Sequence, residues 1–372
     1  MISSRISIRG AVLEDCGRSE PFQTSRPISI SDLELDLPKD GELRVRIEVA
    51  GICHSDLSVV NGSRLRPTPM LLGHEAAGIV EEVGEGVTKV RPGDRVVLTF
   101  LPRCGECRPC MSGTTAPCVP GSSANSAGTL LSGEGRLGRD GQRVRHHLGV
   151  SAFATHAVVS EKSVVRVEED VPPDVAALLG CAVLTGGGAV KNAGLFHPDQ
   201  SLAIVGLGGV GMAALLVGVA MGGSSIAVFD SRADKLDRAR EMGASQAFLP
   251  HDIPEAFAAD LVIEAAGNVP AFESAYSLTA PGGKLVTVGL PDPTARISLS
   301  PLELVAQGKS VVGSYLGSSN PELDIPFYVD LWKQGRLPLE RLVSAEISLE
   351  GINAAMDDLH HGEAIRQIIR FP

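Results

Sequence analysis

The chain has 372 residues, enough for two domains, and 44% of them are hydrophobic, so a large core can form. Its net charge of -11 argues against nucleic-acid binding. The N-terminus has no apolar run after its basic residues, and the longest apolar stretch, 212–221, is too short to span a bilayer. We therefore expect a cytoplasmic protein without a membrane partner, whose cysteines stay reduced.

The first part of the chain, up to about residue 182, consists of short β-like runs separated by Gly and Pro. Runs at 42–51, 74–84 and 94–100 predict strands of a partly barrel-like β domain. Residues 119–150 are polar and rich in Gly, and we interpret them as a long surface loop.

The second part, residues 183–311, alternates between strand and helix patterns, which predicts a doubly wound parallel sheet. The pattern predicts strands at 201–206, 225–230, 261–267 and 284–289, and helices at 209–222 and 235–244. Residues 312–372 predict one or two helices and a closing strand. We expect an α/β protein in which 1–182 and 312–372 form one domain and 183–311 the other.

Four of the seven cysteines lie close together, at Cys104, Cys107, Cys110 and Cys118. Four thiolates on one loop match the closed, structural type of zinc site. A redox pair needs only two cysteines, and the ferredoxin iron–sulfur pattern continues with a different spacing. We therefore predict a structural zinc ion at this loop.

A second metal constellation is suggested by Cys53, His74 and Cys181. Two cysteines and one histidine leave the fourth position of a zinc ion open, as catalytic zinc sites do. Each residue also has an ordinary interpretation, since a lone cysteine is most often a core residue. Spacing alone does not establish that the three residues are close in space.

A glycine-rich turn follows the apolar strand at 201–206 and opens the helix at 209–222. In that context the pattern predicts a dinucleotide site whose helix N-terminus binds the pyrophosphate. Asp230 ends the next strand and favours NAD over NADP, although Arg232 weakens this preference. The turn consists of Gly206, Leu207, Gly208, Gly209, Val210 and Gly211.

These blocks together resemble the zinc-dependent alcohol dehydrogenases of the medium-chain dehydrogenase/reductase family. The sequences GICHSD, GHEAAGIVEEVG, VRPGDRV, GCAVLTGGGAV, GLGGVG and GEAIRQII occur in the family's order around the cysteine loop. The resemblance implies a GroES-like catalytic domain beside a Rossmann NAD-binding domain. It also implies that Cys53, His74 and Cys181 bind one catalytic zinc, giving two zinc ions per chain.

The resemblance assigns further roles by position. Ser55 would hydrogen-bond the substrate oxygen, Asp56 would orient His74, and Glu75 would approach the zinc from behind. Ser58 departs from relatives that carry a histidine there to pass the alcohol proton to solvent. Cofactor contacts would come from His54, Thr185, Lys235, Val288, Leu290 and Arg366. Substrate-pocket walls would come from Phe100, His147, Leu148 and Leu290, and the alternative for His147 is a place in the loop without a role.

The resemblance therefore implies an NAD-dependent oxidoreductase that oxidises a primary or aromatic alcohol and, in reverse, reduces an aldehyde. A polyol, amino-alcohol or glutathione-adduct dehydrogenase of the same family is the alternative, and a non-catalytic NAD- and zinc-binding protein is a third. The long 119–150 segment resembles that of the dimeric members, so we expect a homodimer.

Overall fold

The structure is a computed structural model that describes residues 5–112 and 116–372. The chain forms two compact units. The first contains the chain up to Cys181 and the C-terminal segment Val343–Pro372, and the second is Ala182–Leu342.

The described residues contain strands and helices of the following bounds. The strands are β1 (Arg5–Leu13), β2 (Ile28–Asp36), β3 (Glu42–Ile52), β4 (Met70–Leu71), β5 (Ala76–Val83), β6 (Arg95–Leu98), β7 (Leu137–Arg139), β8 (Gln142–His146), β9 (His156–Ser160), β10 (Val164–Val167), β11 (Leu202–Val205), β12 (Ile226–Phe229), β13 (Gln246–Phe248), β14 (Ala259–Glu264), β15 (Thr279–Thr287), β16 (Ser310–Gly313), β17 (Ala345–Ile347) and β18 (Gln367–Arg370). The α-helices are α1 (Phe22–Ser25), α2 (His54–Val60), α3 (Arg108–Met111), α4 (Val119–Ala127), α5 (Pro173–Leu178), α6 (Leu184–Gly188), α7 (Gly209–Ala220), α8 (Ala233–Glu241), α9 (Val269–Ser277), α10 (Pro301–Ala306), α11 (Pro321–Lys333) and α12 (Ile352–His360).

The first unit consists of a closed barrel and a second, mostly antiparallel sheet. The barrel has the strand order β1-β2-β7-β8-β4, and its core includes the inward residues Ile8, Leu35 and Val144. The second sheet runs β10-β6-β5-β3-β18-β17, with β9 also paired to β3. Strand β3 is therefore central to this sheet, and Cys53 follows directly after its last residue. The predicted β-rich first domain is confirmed.

The prediction that 119–150 is a surface loop is wrong. This segment contains α4 and the hairpin β7–β8, which helps to close the barrel. Asp140 and Gly141, between the two strands, both have positive φ angles of 52° and 76°. An Asp-Gly pair with this backbone is the signal of a two-residue hairpin turn. The polar composition of the segment concealed that signal.

The second unit is built on a parallel six-stranded sheet of order β13-β12-β11-β14-β15-β16. The short apolar runs of β11 and β12 are buried throughout, as expected where helices cover both faces. This confirms the Rossmann-like α/β fold. The compact unit extends to Leu342, beyond the predicted boundary at 311. The reason is that α11 packs so closely on α6 that a Cβ at Gly187 would lie 2.7 Å from the Tyr328 hydroxyl.

One helical stretch in the described part of the chain, Pro173–Gly194, is long and apolar enough to cross a membrane. However, 89% of its apolar window is buried within the protein. Such burial is also found for the core helices of globular proteins.

Candidate metal centres and dinucleotide site

The four cysteines of the loop at 104–118 converge on one point. Their sulfur atoms all lie within 4.8 Å of one another. The Sγ atoms of Cys104 and Cys110 are 4.0 Å apart, as are those of Cys107 and Cys118. This spacing suits a tetrahedral metal ion bound by four thiolates.

Backbone amides support the sulfur atoms of this four-cysteine lobe. The Cys104 sulfur accepts from the backbone N–H of Glu106 and Cys107 at 3.4 and 3.3 Å. The Cys118 sulfur accepts from the N–H of Cys104 and Gly121, both at 3.4 Å. Donors of this kind favour the thiolate, and the backbone N–H groups of Cys110 and Val119 lower the pKa of Cys107 to about 6, whereas burial raises the pKa of Cys110 and raises that of Cys118 to about 12, so a metal ion is needed to hold all four as thiolates. The lobe therefore has the chemistry that metal binding requires.

Cys53, His74 and Cys181 form a second, fully buried set, the three-ligand site. Cys53 follows β3 and precedes α2, His74 lies between β4 and β5, and Cys181 belongs to a π-helical segment after α5. The ligand atoms lie within 4.8 Å of one another, and the two sulfurs are 4.0 Å apart. The structure thus brings together three residues that are distant in the sequence.

The Nε2 atom of His74 tests whether this set fits a metal ion. The Nδ1 atom lies 2.9 Å from Oδ1 of Asp56, and a carboxylate only accepts, so Nδ1 carries the proton. Nε2 then carries a lone pair, yet it is buried and has no hydrogen-bond partner among the described residues. A buried polar atom without a partner requires an explanation. A zinc ion shared with the two sulfurs supplies one, so the residues fit the metal.

Asp56 is the carboxylate that organises the three-ligand site. It is fully buried, and its Oδ2 accepts from the backbone N–H of Cys53 at 3.0 Å. Burial opposes its ionisation, but a positive charge on the His74 ring, from a proton or a metal ion at Nε2, and the donor atoms of His147 and His74 lower its pKa to about 2. The negative charge of Asp56 raises the pKa of His74 against the effect of burial, so a cation, whether a proton or a metal ion, is bound more strongly at Nε2.

Glu75 and Arg366 form a buried pair beside the three-ligand site. The Arg366 Nη1 lies 3.6 Å from Oε2 of Glu75 and donates to the carbonyl of Ile52 at 2.9 Å. Gly51 leaves room for Glu75, because a Cβ at that position would collide with the carboxylate. Burial disfavours the guanidinium, but Glu75 and the cysteine sulfurs raise the pKa of Arg366. Arg366, predicted to contact the cofactor, is thus placed against Glu75 in the first unit.

Other predicted residues of the first unit lie close to the ligands. The Ser55 hydroxyl is 4.0 Å from the Cys53 sulfur, whereas the Ser58 hydroxyl donates to the Ser55 carbonyl at 2.8 Å. The Phe100 ring contacts the edge of His74 with centroids 5.5 Å apart. His54 begins α2 and is exposed, and Leu148 is buried with φ of 52°.

His147, predicted as a pocket wall or a loop residue, is buried against Asp56. Its Nδ1 lies 3.1 Å from Oδ1 of Asp56, and its ring meets that of His74 edge-on at 5.5 Å. Burial lowers the pKa of His147. Asp56, His74 and His147 also satisfy the distances of a metal site. Nδ1 of His74 is hydrogen-bonded to Oδ1, whereas the buried Nδ1 of His147 lies within ion-pair distance of the same oxygen and has no hydrogen bond among the described residues. No pattern in the sequence indicates this contact.

The glycine-rich turn of the second unit joins β11 to α7. Gly206 has φ of 94°, a conformation that favours glycine, and Gly211 approaches the Gly206 carbonyl too closely for any side chain. Gly208 has open space around it at the start of α7. The three glycines therefore supply a tight turn, a close helix approach and free access to the helix N-terminus, as dinucleotide binding requires.

Asp230 lies at the end of β12 and contacts this turn. Its Oδ2 accepts from the N–H of Leu207 at 2.7 Å and its Oδ1 from the N–H of Arg232 at 3.0 Å. The Arg232 side chain pairs with Asp234, with Nη2 to Oδ2 at 3.0 Å. The Arg232 side chain is thus held by Asp234 at the N-terminus of α8.

The remaining predicted cofactor residues lie on different elements of the second unit. Thr185 is buried in α6 and Lys235 is buried in α8. Val288 is buried just after β15, whereas Leu290 is 45% exposed. Sequence reasoning missed Glu264, whose buried Oε1 accepts from the N–H groups of Ala266 and Gly267 at 2.8 and 2.6 Å. Its position at the carboxyl end of β14 was the available signal.

Comparison with known proteins identifies both units. Residues 39–169 match the family model of the alcohol dehydrogenase GroES-like domain, and residues 209–332 match that of the zinc-binding dehydrogenases. A zinc-binding-domain alcohol dehydrogenase from Burkholderia ambifaria has a TM-score of 0.92 at 30% identity, covering 99% of this chain and 100% of that one.

Two further solved structures are similar over most of both chains. Benzyl alcohol dehydrogenase from Acinetobacter calcoaceticus has a TM-score of 0.90 at 29% identity, covering 99% of this chain and 100% of its own. A thermostable alcohol dehydrogenase from Pyrobaculum aerophilum has a TM-score of 0.80 at 25% identity, covering 98% and 100%. The chain belongs to the zinc-binding alcohol dehydrogenases of the medium-chain dehydrogenase/reductase family.

Proposed function

We propose that this protein oxidises a primary or aromatic alcohol with NAD and reduces the corresponding aldehyde in reverse. The observation that carries the proposal is the three-ligand site. There the buried Nε2 of His74 lies next to two cysteine sulfurs and has no hydrogen-bond partner among the described residues. Three ligands leave one position of a zinc ion open. Zinc bound there would act as a Lewis acid on the oxygen of an alcohol or carbonyl.

The residues around the site have separate tasks in this proposal. Ser55, 4.0 Å from the Cys53 sulfur, would accept the proton of the substrate hydroxyl. Asp56 holds His74 in the tautomer that leaves Nε2 available. The Ser58 hydroxyl is engaged with the backbone of its own helix, so we do not assign it a step in proton transfer. The four-cysteine lobe would hold a second, structural zinc.

We propose NAD rather than NADP as the cofactor. The Asp230 carboxylate beside the glycine turn favours ribose hydroxyls and repels a 2′-phosphate. Arg232, the nearby cation, is paired with Asp234 and is therefore less available to bind such a phosphate. Comparing kcat/KM for the two cofactors tests this, and equal values would contradict it.

An aromatic alcohol is the preferred substrate class because a similar enzyme, at 29% identity, acts on benzyl alcohol. Polyols, amino alcohols and glutathione adducts are the alternative. The experiment is NADH formation by protein of known zinc content, with benzyl alcohol, ethanol, hexanol and a polyol, before and after chelator treatment. Chelator-sensitive oxidation that is fastest with benzyl alcohol supports the proposal. Two bound zinc ions without turnover of any of these alcohols would favour the non-catalytic alternative.

We further propose a homodimer in the cytoplasm. Strand β16 is an edge of its sheet, and Val311 on it and Leu302 and Val305 on α10 are exposed. An exposed apolar edge strand is a template for pairing with another chain. All seven cysteines are free, which fits a reducing compartment. Light scattering of the Leu302→Asp and Val305→Asp variants, expected to be monomeric, tests the dimer.

A further inference from the structure

We propose that His147 is a positioning residue for the metal ligand His74 and acts through the carboxylate of Asp56. The inference rests on the zinc ion proposed at the three-ligand site. It concerns a residue for which the sequence predicted at most a place in the pocket wall.

The first support is the geometry around Asp56. Two imidazole nitrogens approach the same oxygen, with His74 Nδ1 at 2.9 Å and His147 Nδ1 at 3.1 Å from Oδ1. The other oxygen, Oδ2, accepts from the backbone N–H of Cys53. A fully buried carboxylate stays charged only when donors surround it. The buried Nδ1 of His147 forms no regular hydrogen bond among the described residues, and Oδ1 of Asp56 lies within its reach at 3.1 Å, so we assign it as the third donor to this carboxylate.

The second support is the backbone that carries His147. Its N–H donates to the Ser151 hydroxyl at 2.8 Å, and that hydroxyl donates to the carbonyl of Leu71 at the same distance. Leu148 and Ser151 have φ angles of 52° and 55°, which strain residues other than glycine. Such a conformation persists only where the surroundings enforce it. The imidazole of His147 is therefore held in place by the barrel itself.

The third support is the arrangement of rings around His74. Phe100 and His147 each meet its imidazole edge-on, with centroids 5.5 Å apart and planes at 85°. Phe100 can only pack, whereas His147 also reaches the carboxylate that holds Nδ1 of His74. Loss of the His147 donor would leave Asp56 with fewer contacts and His74 less well oriented.

Three substitutions of His147 distinguish the effect of its Nδ1–H donor from the effect of its aromatic ring. His147→Phe keeps an aromatic ring and removes the donor. His147→Asn places an amide N–H near the position of Nδ1, and His147→Gln places it near that of Nε2. We expect the zinc dissociation constant of the three-ligand site to rise about tenfold in the Phe and Gln variants, the lower end of the range for outer-shell residues, because His147 acts through Asp56. In the Asn variant we expect a clearly smaller rise.

The measurement is competition for zinc with a chromogenic chelator, followed by the visible spectrum of the cobalt-substituted protein. The four-cysteine lobe serves as an internal control, because its metal release should be unchanged in all three variants. Thermal unfolding of the metal-loaded variants reports whether each folds. We expect an altered cobalt spectrum for Phe and Gln and a wild-type spectrum for Asn.

Two outcomes would overturn the inference. Equal metal affinity in all variants would show that His147 has no positioning role. Loss of affinity in the Asn variant as great as in the Gln variant would show that the ring or the fold matters, not the Nδ1 donor. Failure of the proposed function is distinguishable, because it would appear in the wild-type protein, either as no zinc at the three-ligand site or as two bound zinc ions without alcohol turnover.

Discussion

The two cysteine-rich regions of the first unit hold their ligand atoms in different ways. In the four-cysteine lobe, the ligands lie within residues 104–118, and backbone N–H groups of residues 104–121 support the sulfurs. In the three-ligand site, Cys53, His74 and Cys181 come from distant segments and are supported by buried side chains. A short loop can thus organise a metal site alone, whereas the three-ligand site depends on the folded barrel and sheet around it.

Removing one sulfur from the three-ligand site should have the largest effect on activity. We expect Cys53→Ser to lower kcat/KM about a thousandfold or more, because metal catalysis contributes several kcal/mol to lowering the barrier. NADH binding, measured by fluorescence, should persist, because the glycine turn lies in the second unit. Zinc content should fall from two ions to one.

Cys16→Ser is the matched control for that variant. Cys16 lies outside both ligand sets, and its sulfur only contacts the carbonyl of Arg66 at 3.6 Å. It should behave as wild type. Full turnover by Cys53→Ser would contradict the catalytic assignment of the three-ligand site.

Removing one sulfur from the four-cysteine lobe should instead act on stability. We expect Cys107→Ser to lose one zinc ion and to reduce the free energy of unfolding by several kcal/mol, since structural zinc contributes directly to folding. Thermal unfolding and metal analysis check this. Turnover per folded molecule should fall far less than in Cys53→Ser. If Cys107→Ser unfolded like wild type while lacking its zinc, the lobe would not be structural.

The same contrast explains what the sequence could predict. The lobe was visible because its four ligands occur within one short stretch, and the glycine turn because strand, turn, helix and Asp230 follow each other directly. The grouping of Cys53, His74 and Cys181 required the family resemblance, because no local pattern links segments so far apart. The hairpin at Asp140 was missed although its signal was present.

Contacts between side chains of distant segments were beyond sequence reasoning. Nothing near His147 in the chain indicates that it lies 3.1 Å from Asp56, since both the hairpin and the strained turn that follows it must form first. Similarly, Arg366 meets Glu75 only because β18 pairs with β3. The domain boundary at 311 was misplaced because the packing of α11 on α6 leaves no local pattern in the sequence.

Changing the carboxylate that supports the three-ligand site should affect metal affinity in one region only. We expect Asp56→Asn to weaken zinc binding there by about ten- to a hundredfold, because partners of ligating histidines have effects of this size. Chelator competition measures the affinity, and release from the four-cysteine lobe should be unchanged. Asp94→Asn, a buried carboxylate paired with Arg166, is the matched control. If Asp56→Asn weakened zinc binding equally at the three-ligand site and at the four-cysteine lobe, the cause would be a general loss of stability instead.

The smallest effect concerns acid, which weakens metal binding in both regions and also acts on the fold. His146 is fully buried, its Nε2 accepts from the N–H of Arg136 at 3.0 Å, and burial together with Arg136 and Arg143 lowers its pKa to about 3. The unfolded chain binds a proton near the ordinary value of 6.5 and the folded chain does not, so stability falls as pH drops from about 6.5 towards 3. Between neutral pH and about pH 5 this amounts to about 2 kcal/mol.

His146→Gln should remove this contribution, because a side-chain amide oxygen can still accept from the Arg136 N–H but binds no proton in this range. Urea unfolding of both proteins at neutral pH and at about pH 5 measures the difference. We expect the variant to lose about 2 kcal/mol less than wild type on acidification. Identical losses would mean that His146 is not the titrating group. The acid sensitivity of the fold would then originate in other groups, such as His147 and His156, whose pKa burial also lowers, or in the metal ligands themselves.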